Sequence, residues 1–349
     1  MKSDRRELNT DSRPLEGRSR ALDADSRQPT YRAPSWLPGG NAQTVWAALL
    51  ARRDHAPLRR ERWITPDEDF VFVHFLDGPR DAPYVVLFHG LEGGADSHYA
   101  EATMASLAQR GWRGAIPHFR SCGGELNLLP RAYHSGDWEE IDWLLARFVR
   151  EAGGAPVFAA GVSLGGNALL KWLGERGAEA RAVVRAAVAV SAPLDLAVGA
   201  DAIERGFARV YTRMFLRTLK PKVVAKAVRH PGVFDVKRVR ATRTLREFDD
   251  VVTAPLHGFR DAADYYERAS AKPVLRNIRV PTLIINARND PFQPGRHLPR
   301  VDEVASCVSL ELPETGGHVG FVSGRFPGHL QWLPTRIIDF FSKHLDTSS

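Results

Sequence analysis

A five-residue turn, Gly161-Val162-Ser163-Leu164-Gly165, limits more than any other stretch what this chain can fold into. The apolar residues 157–160 before it are typical of a buried strand, and residues 168–173 after it carry apolar side chains at helical spacing. A serine between two glycines in that setting predicts a sharp turn with an exposed hydroxyl beside the amino end of a helix. Taken alone, the pattern fits an ordinary glycine-rich strand–helix turn equally well.

Further apolar runs predict a mostly parallel sheet with helices between its strands. The other strands are expected at 84–88, 114–117, 183–190, 282–287 and 307–312, and the main helices near 98–110, 137–151 and 335–344. Residues 60–76 predict a β-hairpin, and the alternating second arm indicates a strand with one buried face. Such alternation of strands and helices places ligands at the carboxyl ends of the strands.

The two flanks and one insertion define the expected domain organisation. Residues 1–32, with mixed charge and few apolar side chains, predict a disordered N-terminal tail, and a single domain is expected over 33–345. Its first segment, around Trp36-Leu37-Pro38, is expected to pack on the domain as a strap rather than to take part in catalysis. Residues 194–275 show no strand pattern and predict a helical cap, with helices separated at Pro221, Pro231 and Pro255.

Composition excludes several classes of protein. A chain of 349 residues that is 44% hydrophobic can form one large core. It has neither an apolar run long enough to cross a membrane nor the apolar segment of a secretory signal. Cys122 and Cys307 alone provide no disulfide framework and no metal cluster, so we expect a cytoplasmic protein without metal or organic cofactor. No nucleic-acid-binding motif is present.

Two residues beyond the turn complete a candidate catalytic set in the chain order serine, acid, histidine. Asp290 follows the strand at 282–287, and His318 lies in a glycine-rich loop after the last strand. A serine hydroxyl needs a base to take its proton, and Asp290 would orient the imidazole. The backbone N–H groups of Leu164 and Leu91 are the candidate oxyanion donors. His89, beside Leu91, is expected to be structural.

With these residues in place, the chain resembles the YheT-like α/β-hydrolases over roughly residues 34–342. The blocks that carry the resemblance are 36–38, 89–93, 119–125, 133–136, 161–167 and 289–292. It implies an α/β-hydrolase fold, with a mostly parallel central sheet, helices on both faces and a helical cap insertion. It also implies a serine carboxylesterase or acyl hydrolase. The sequence departs from the family at Asn289, where an aspartate is common, and at His118, where asparagine is usual.

The cap is strongly basic. Residues 205–246 contain 13 lysines and arginines and one acid, Asp235. Arg205, Arg209, Arg213 and Arg217 recur every four residues and so share one helix face, with Phe207, Val210, Tyr211 and Met214 expected on the other. Two interpretations stay open: a solvated basic surface, or a surface that attracts anionic substrates or an acidic membrane.

These observations predict hydrolysis of short- to medium-chain carboxylic esters through an acyl-serine intermediate, with a small-molecule acyl ester as the partner and no nucleic acid. The same three residues would serve an acyltransferase that uses an alcohol in place of water, and the resemblance includes phospholipases and lipases. A catalytically silent binding protein on the same fold is the non-enzymatic alternative.

Overall fold

The computed structural model describes residues 31–345. The predicted N-terminal tail therefore lies outside the described residues, except for its last two. One of these, Tyr31, is only 3% exposed, and its hydroxyl donates a hydrogen bond to the Val322 carbonyl at 2.7 Å. Packing of the domain thus includes residues before the predicted start at 33.

An eight-stranded sheet with the order β1-β2-β4-β3-β5-β6-β7-β8 forms the centre of the molecule. Its strands are β1 (Arg59–Ile64), β2 (Phe70–Leu76), β3 (Tyr84–Phe88), β4 (Arg113–Pro117), β5 (Val157–Val162), β6 (Ala187–Val190), β7 (Thr282–Ile285) and β8 (Val308–Glu311). The hairpin pair β1 and β2 is antiparallel and joins β4 antiparallel, whereas β3 to β8 pair in parallel. The mostly parallel sheet predicted from the sequence is confirmed.

Helices cover both faces of this sheet. The helices outside the insertion are α1 (Gly40–Leu49), α2 (His98–Gln109), α3 (Trp138–Ala152), α4 (Leu164–Arg176) and α11 (Trp332–Ser342). Successive strand residues point to opposite faces. Val86 and Phe88 of β3 accordingly join the core beneath α3 and α4, and Val85 and Leu87 join the core beneath α2 and α11.

Strand β2 differs from its prediction. It was expected to bury one face, but six of its seven residues are buried, and the seventh, His74, is half-buried. Two guanidinium groups from β1 cover its second face: that of Arg60 lies 3.7 Å from the centre of the Phe72 ring, and that of Arg62 lies 4.0 Å from Phe70. Alternation in the sequence could not show that arginines cover this face.

The segment between β6 and β7 is helical. Its helices are α5 (Leu196–Ile203), α6 (Arg209–Arg229), α7 (Val236–Ala241), α8 (Leu245–Phe248), α9 (Ala254–Leu256) and α10 (Ala262–Ala269), with a π-helical turn over Asp249–Thr253. The expectation that Pro221 separates two helices was wrong, because this proline lies inside the 21-residue helix α6. No helix among residues 31–345 is both long enough and apolar enough to span a membrane.

Candidate active site

The serine turn lies between β5 and α4 and has the strained geometry expected for it. Ser163 adopts φ 53° and ψ −121°, and its N–H donates to the Val190 carbonyl at 2.8 Å. A Cβ on Gly161 would lie 2.5 Å from the Gly165 carbonyl oxygen, and a Cβ on Gly165 would lie 2.5 Å from that of His89. Both flanking positions therefore require glycine.

The structure brings Ser163, His318 and Asp290 together. The Nε2 atom of His318 lies 2.9 Å from the Ser163 Oγ, and its Nδ1 lies 2.9 Å from the Asp290 Oδ2. The side chain of Asp290 is fully buried and that of His318 is 9% exposed. The arrangement suits a neutral imidazole that donates from Nδ1 to the carboxylate and accepts the serine proton at Nε2.

Phe292 fixes both partners of this pair. Its backbone N–H donates to the Asp290 Oδ1 at 2.7 Å, which leaves Oδ2 to the imidazole. Its ring is stacked on His318, with 4.0 Å between ring centres and an interplanar angle of 17°. The imidazole is thus held by packing as well as by hydrogen bonds.

The loop that carries His318 is anchored by four side chains that accept its consecutive backbone N–H groups. The bonds are Gly316 to the Gln43 Oε1 at 2.8 Å, Gly317 to the Asn289 Oδ1 at 2.9 Å, His318 to the Thr44 Oγ1 at 2.8 Å, and Val319 to the Ser191 Oγ at 3.0 Å. Two of the four acceptors come from α1, in the N-terminal strap. The strap packs on the domain as expected, but its link to His318 was missed.

Two of these four acceptor side chains, Gln43 and Thr44, could have been singled out from the sequence. Gln43 and Thr44 are two of the three polar residues of an otherwise largely apolar helix, and they are 0% and 8% exposed. Asn289, the departure from the family pattern, donates from Nδ2 to the Gln43 Oε1 at 3.2 Å as well as accepting from Gly317. Its amide thus joins the strap to the histidine loop.

Both candidate oxyanion donors belong to residues that line the cavity above Ser163. Leu164 begins α4 directly after the serine. A Cβ on Gly90 would lie 3.1 Å from the Ser163 Cβ, so the loop that carries Leu91 passes beside the serine. The Tyr99 hydroxyl accepts the Gly90 N–H at 2.8 Å and holds that loop in place.

Glu92, the next residue of this loop, was not singled out by the sequence. Its φ of 57° is unusual for a residue with a side chain. The Tyr133 hydroxyl accepts the Glu92 N–H at 2.9 Å and donates to its Oε1 at 3.0 Å, and the Lys222 Nζ lies 2.8 Å from each carboxylate oxygen. The side chain of Glu92 is only 8% exposed.

The nearby His89 and Cys122 have properties that suit structural roles. His89 is fully buried, donates from Nδ1 to the Gly90 carbonyl and accepts the Phe119 N–H at Nε2. Burial lowers the pKa of His89 to about 4, so the ring is neutral. Burial raises the pKa of the Cys122 thiol to about 12, which makes a nucleophilic thiolate unfavourable there.

The motif Tyr133-His134-Ser135-Gly136 supplies three cavity-lining residues. It is fixed from below by Asn167, whose Nδ2 donates to the Ser135 carbonyl at 2.9 Å and to its Oγ at 3.0 Å. The Asn167 Oδ1 accepts the Ala271 N–H at 2.9 Å, so this one side chain ties the motif to the segment after α10.

The cavity above Ser163 has a mainly apolar wall, which includes Leu196, Phe215, Leu219 and Phe248. Its volume is about 180 Å³, many times the roughly 10–15 Å³ that one water molecule needs. Each charged side chain that lines the cavity has a partner. Glu92 forms an ion pair with Lys222, and Arg120 forms ion pairs with Asp67, Asp69 and Glu140. Lys226 donates hydrogen bonds to three backbone carbonyls, and Asp249 accepts hydrogen bonds from Thr253 and Tyr266. Burial raises the pKa of Asp249 to about 6.

Comparison with known proteins agrees with this geometry. A family model described as alpha/beta hydrolase fold matches residues 83–324. The chain is 40% identical over 312 residues to the Escherichia coli (strain K12) protein named "Putative esterase YheT", covering 88% of this chain and 91% of that protein. It is 29% identical over 315 residues to the mouse protein named phospholipase ABHD3, covering 87% and 76%.

Among solved structures, the Pyrococcus furiosus esterase Pf2001 matches with a TM-score of 0.54 at 15% identity, covering 91% of this chain and 100% of that one. At this identity the match supports the fold alone. The mostly parallel sheet, the serine turn at Ser163 and the sequence similarity lead to the same conclusion: the chain belongs to the α/β-hydrolase family and, within it, to the YheT-like group of hydrolases.

Proposed function

We propose that this hydrolase cleaves carboxylic esters through an acyl-serine intermediate. The single observation that carries the proposal is the continuous chain of hydrogen bonds from the Ser163 Oγ through His318 to Asp290. The serine oxygen attacks the ester carbonyl while the His318 Nε2 takes its proton. The same imidazolium then protonates the departing alcohol. A water molecule, deprotonated by His318, releases the acid and restores the serine.

The backbone N–H groups of Leu91 and Leu164 would stabilise the negative charge on the carbonyl oxygen in each tetrahedral intermediate. Such donors contribute roughly 3–4 kcal/mol each to the transition state. The closeness of Gly90 to Ser163 and the place of Leu164 at the start of α4 support this assignment.

The cavity supports a neutral, apolar group as the part of the substrate that is bound there. Its apolar wall favours an acyl chain, and its paired charges leave little attraction for an anionic one. We propose short- to medium-chain esters on this basis. Initial rates with p-nitrophenyl esters of increasing chain length test this directly, and a maximum at long chains would contradict it.

The catalytic assignment is tested with a fluorophosphonate probe, which reacts with activated serines. Labelling of the wild-type protein and of S309A, which removes an exposed serine on β8, should be equal. S163A should show no labelling and should lose several orders of magnitude in kcat, since residues of a catalytic triad act as a unit. Equal labelling of S163A would overturn the assignment, and an unlabelled wild-type protein would favour a silent binding protein.

A second candidate is action on phospholipids or other lipid esters, favoured by the similarity to the mouse protein named phospholipase ABHD3. Transfer of the acyl group to an alcohol would use the same residues. Product analysis with a phospholipid substrate, in the presence and absence of ethanol, separates the possibilities: free fatty acid indicates hydrolysis, and an ethyl ester indicates transfer.

A further inference from the structure

Helix α6 has two distinct faces. Its inner face contributes Phe215, Leu219 and Val223 to the wall of the cavity. Its outer face exposes large apolar side chains: Val210 is 41% exposed, Met214 59% and Val228 79%. Phe207, just before the helix, is 56% exposed. Apolar side chains on the outside of a helix gain nothing from the core of their own domain.

The arginines lie next to this apolar stripe and not opposite to it. At 100° per residue, Arg213 and Arg217 lie on the same side of α6 as Val210 and Met214, and all four are exposed. The expectation that the arginines and these apolar residues lie on opposite faces of the helix was therefore wrong. Of the four apolar residues expected opposite the arginines, only Tyr211 is buried, at 6% exposure.

These arginines form no ion pairs. Within residues 31–345, no carboxylate lies within ion-pair distance of Arg205, Arg209, Arg213 or Arg217, although Glu204 lines the same surface depression as the last three. The outer face of α6 thus combines arginines without ion-pair partners with exposed apolar side chains on a single surface.

Helix α1 lies beside the start of α6. Val45 packs against the cluster of Ile203, Ala208 and Tyr211, and Leu49, one turn later on the same face of α1, is 71% exposed. Trp46, three residues before Leu49 in α1, contacts Phe326, with 5.6 Å between the ring centres. Phe326 is itself 69% exposed. Helix α1 therefore adds exposed apolar side chains close to the start of α6.

We propose that this surface, defined by Phe207, Val210, Met214, Leu49 and the arginines Arg209, Arg213 and Arg217, docks the protein on a bilayer that contains anionic lipid. Apolar side chains that enter the headgroup region, beside arginines that pair with lipid phosphates, are what an interfacial helix requires. A second copy of the chain is the poorer occupant, because a two-fold contact through this face would oppose arginine to arginine. Docking would place the helix that walls the acyl cavity against the lipid surface.

The electrostatic part is tested by co-sedimentation with phosphatidylcholine vesicles, with and without phosphatidylglycerol. Each arginine near an anionic surface strengthens binding by about fivefold, so R209Q/R213Q/R217Q should bind on the order of 100-fold more weakly. The control R80Q/R150Q/R296Q removes the same charge from exposed sites elsewhere and should bind like the wild type. Binding of the wild type should also weaken as salt is raised.

The apolar part is tested with M214E against V301E, which places the same charge on another exposed apolar residue, Val301, at 80% exposure. M214E should lose much more vesicle binding than V301E. Equal losses, an unaffected arginine triple variant or equal binding to neutral vesicles would overturn the proposal. A concentration-dependent dimer that M214E abolishes, without vesicle binding by the wild type, would overturn it in favour of self-association.

Vesicle binding is independent of the chemistry at Ser163, so S163A should bind vesicles like the wild type even if it is inactive. All surface variants should hydrolyse a soluble p-nitrophenyl ester at the wild-type rate, which shows that they are folded. Failure of the docking proposal can thus be distinguished from failure of the proposed function.

Discussion

The ammonium group of Lys222 lies 2.8 Å from the carboxylate of Glu92, and this contact joins helix α6 to the residue directly after Leu91. Glu92 also adopts a φ of 57° and shares two hydrogen bonds with Tyr133. The helical insertion therefore holds the loop that offers one of the two proposed oxyanion donors.

We expect K222M to lower kcat for a soluble ester with little change in KM. A hydrogen bond to a charged group contributes about 1.5–3 kcal/mol, so the loss should be at most about 10- to 100-fold. K222R should restore most of the activity because it restores the ion pair. K220M is the matched control: Lys220 lies in the same helix but donates to the Arg240 and Thr242 carbonyls. An equal loss in K220M would contradict a specific effect on the loop.

The strap makes a second prediction. In T44V the buried N–H of His318 loses its acceptor, at a cost of about 1–3 kcal/mol. We expect kcat and the rate of fluorophosphonate labelling to fall by about tenfold, and T44S to recover both. In T103V a buried threonine of α2 loses only a hydrogen bond to a helix carbonyl, so kcat should be unchanged. A wild-type labelling rate in T44V would show that the strap does not position His318.

The buried charges around Arg120 determine stability. Its guanidinium contacts the Glu140 Oε2 at 2.7 Å and the Asp69 Oδ2 at 3.1 Å, and these carboxylates are 2% and 0% exposed. R120M removes the ion-pair partner of the buried Asp69 and leaves Glu140 only the 3.8 Å contact with Arg131, so the free energy of unfolding in urea should fall by roughly 3–5 kcal/mol. R288M, which breaks the exposed pair between Arg288 and Glu314, should cost less than about 1 kcal/mol. Similar losses in both variants would contradict this account.

The histidine pair His134 and His257 makes stability depend on pH. Their ring centres are 4.4 Å apart, and burial lowers the pKa of His257 to about 2 and that of His134 to about 3. Below about pH 6.5 the unfolded chain binds protons that the folded chain does not, so stability falls as the pH falls through that value.

Thermal unfolding at pH 7.5 and 5.5 checks this. The melting temperature of the wild type should be lower at pH 5.5 than at pH 7.5. The decrease should be smaller in H257F, because this variant lacks one of the two buried neutral histidines. One such histidine lowers the free energy of unfolding by up to about 1.4 kcal/mol for each pH unit below its unfolded pKa. H55Q, at a histidine whose side chain is 68% exposed, should keep the wild-type dependence. A decrease in H257F as large as in the wild type would refute the assignment.

The parallel sheet and the positions of the site residues could be predicted because they depend on local patterns and on chain order. Continuous apolar runs such as 84–88 predict buried strands, and the serine turn has a steric requirement that only glycine meets. The histidine loop could be located because it follows the last strand. Periodicity failed where side chains from elsewhere cover a surface, as Arg60 and Arg62 cover β2.

The orientation of α6 could not be predicted for a related reason. A four-residue repeat of arginine shows which residues lie together, but not which side of the helix meets the core. The sequence analysis places Phe207, Val210 and Met214 opposite the arginines, whereas these residues are exposed and the cavity is lined by Phe215 and Leu219. Likewise, Gln43 and Thr44 accept backbone N–H groups from residues more than 270 positions later, beyond any local pattern.

The long sequence distance between these hydrogen-bonded residues determines the order in which the parts of the candidate site are synthesised. Thr44 and the N–H that it accepts are 274 residues apart, and Ser163 precedes His318, to which it is hydrogen-bonded, by 155 residues. The strands up to β5 and the serine turn precede the histidine loop along the chain and are therefore synthesised before it. Of the four side chains that accept N–H groups of the histidine loop, Gln43, Thr44 and Ser191 are made long before it, whereas Asn289 precedes its partner Gly317 by 28 residues. If Ser163 and His318 act as proposed, a chain that ends before residue 318 has no base for its serine, so ester hydrolysis begins only after the last part of the domain has been made.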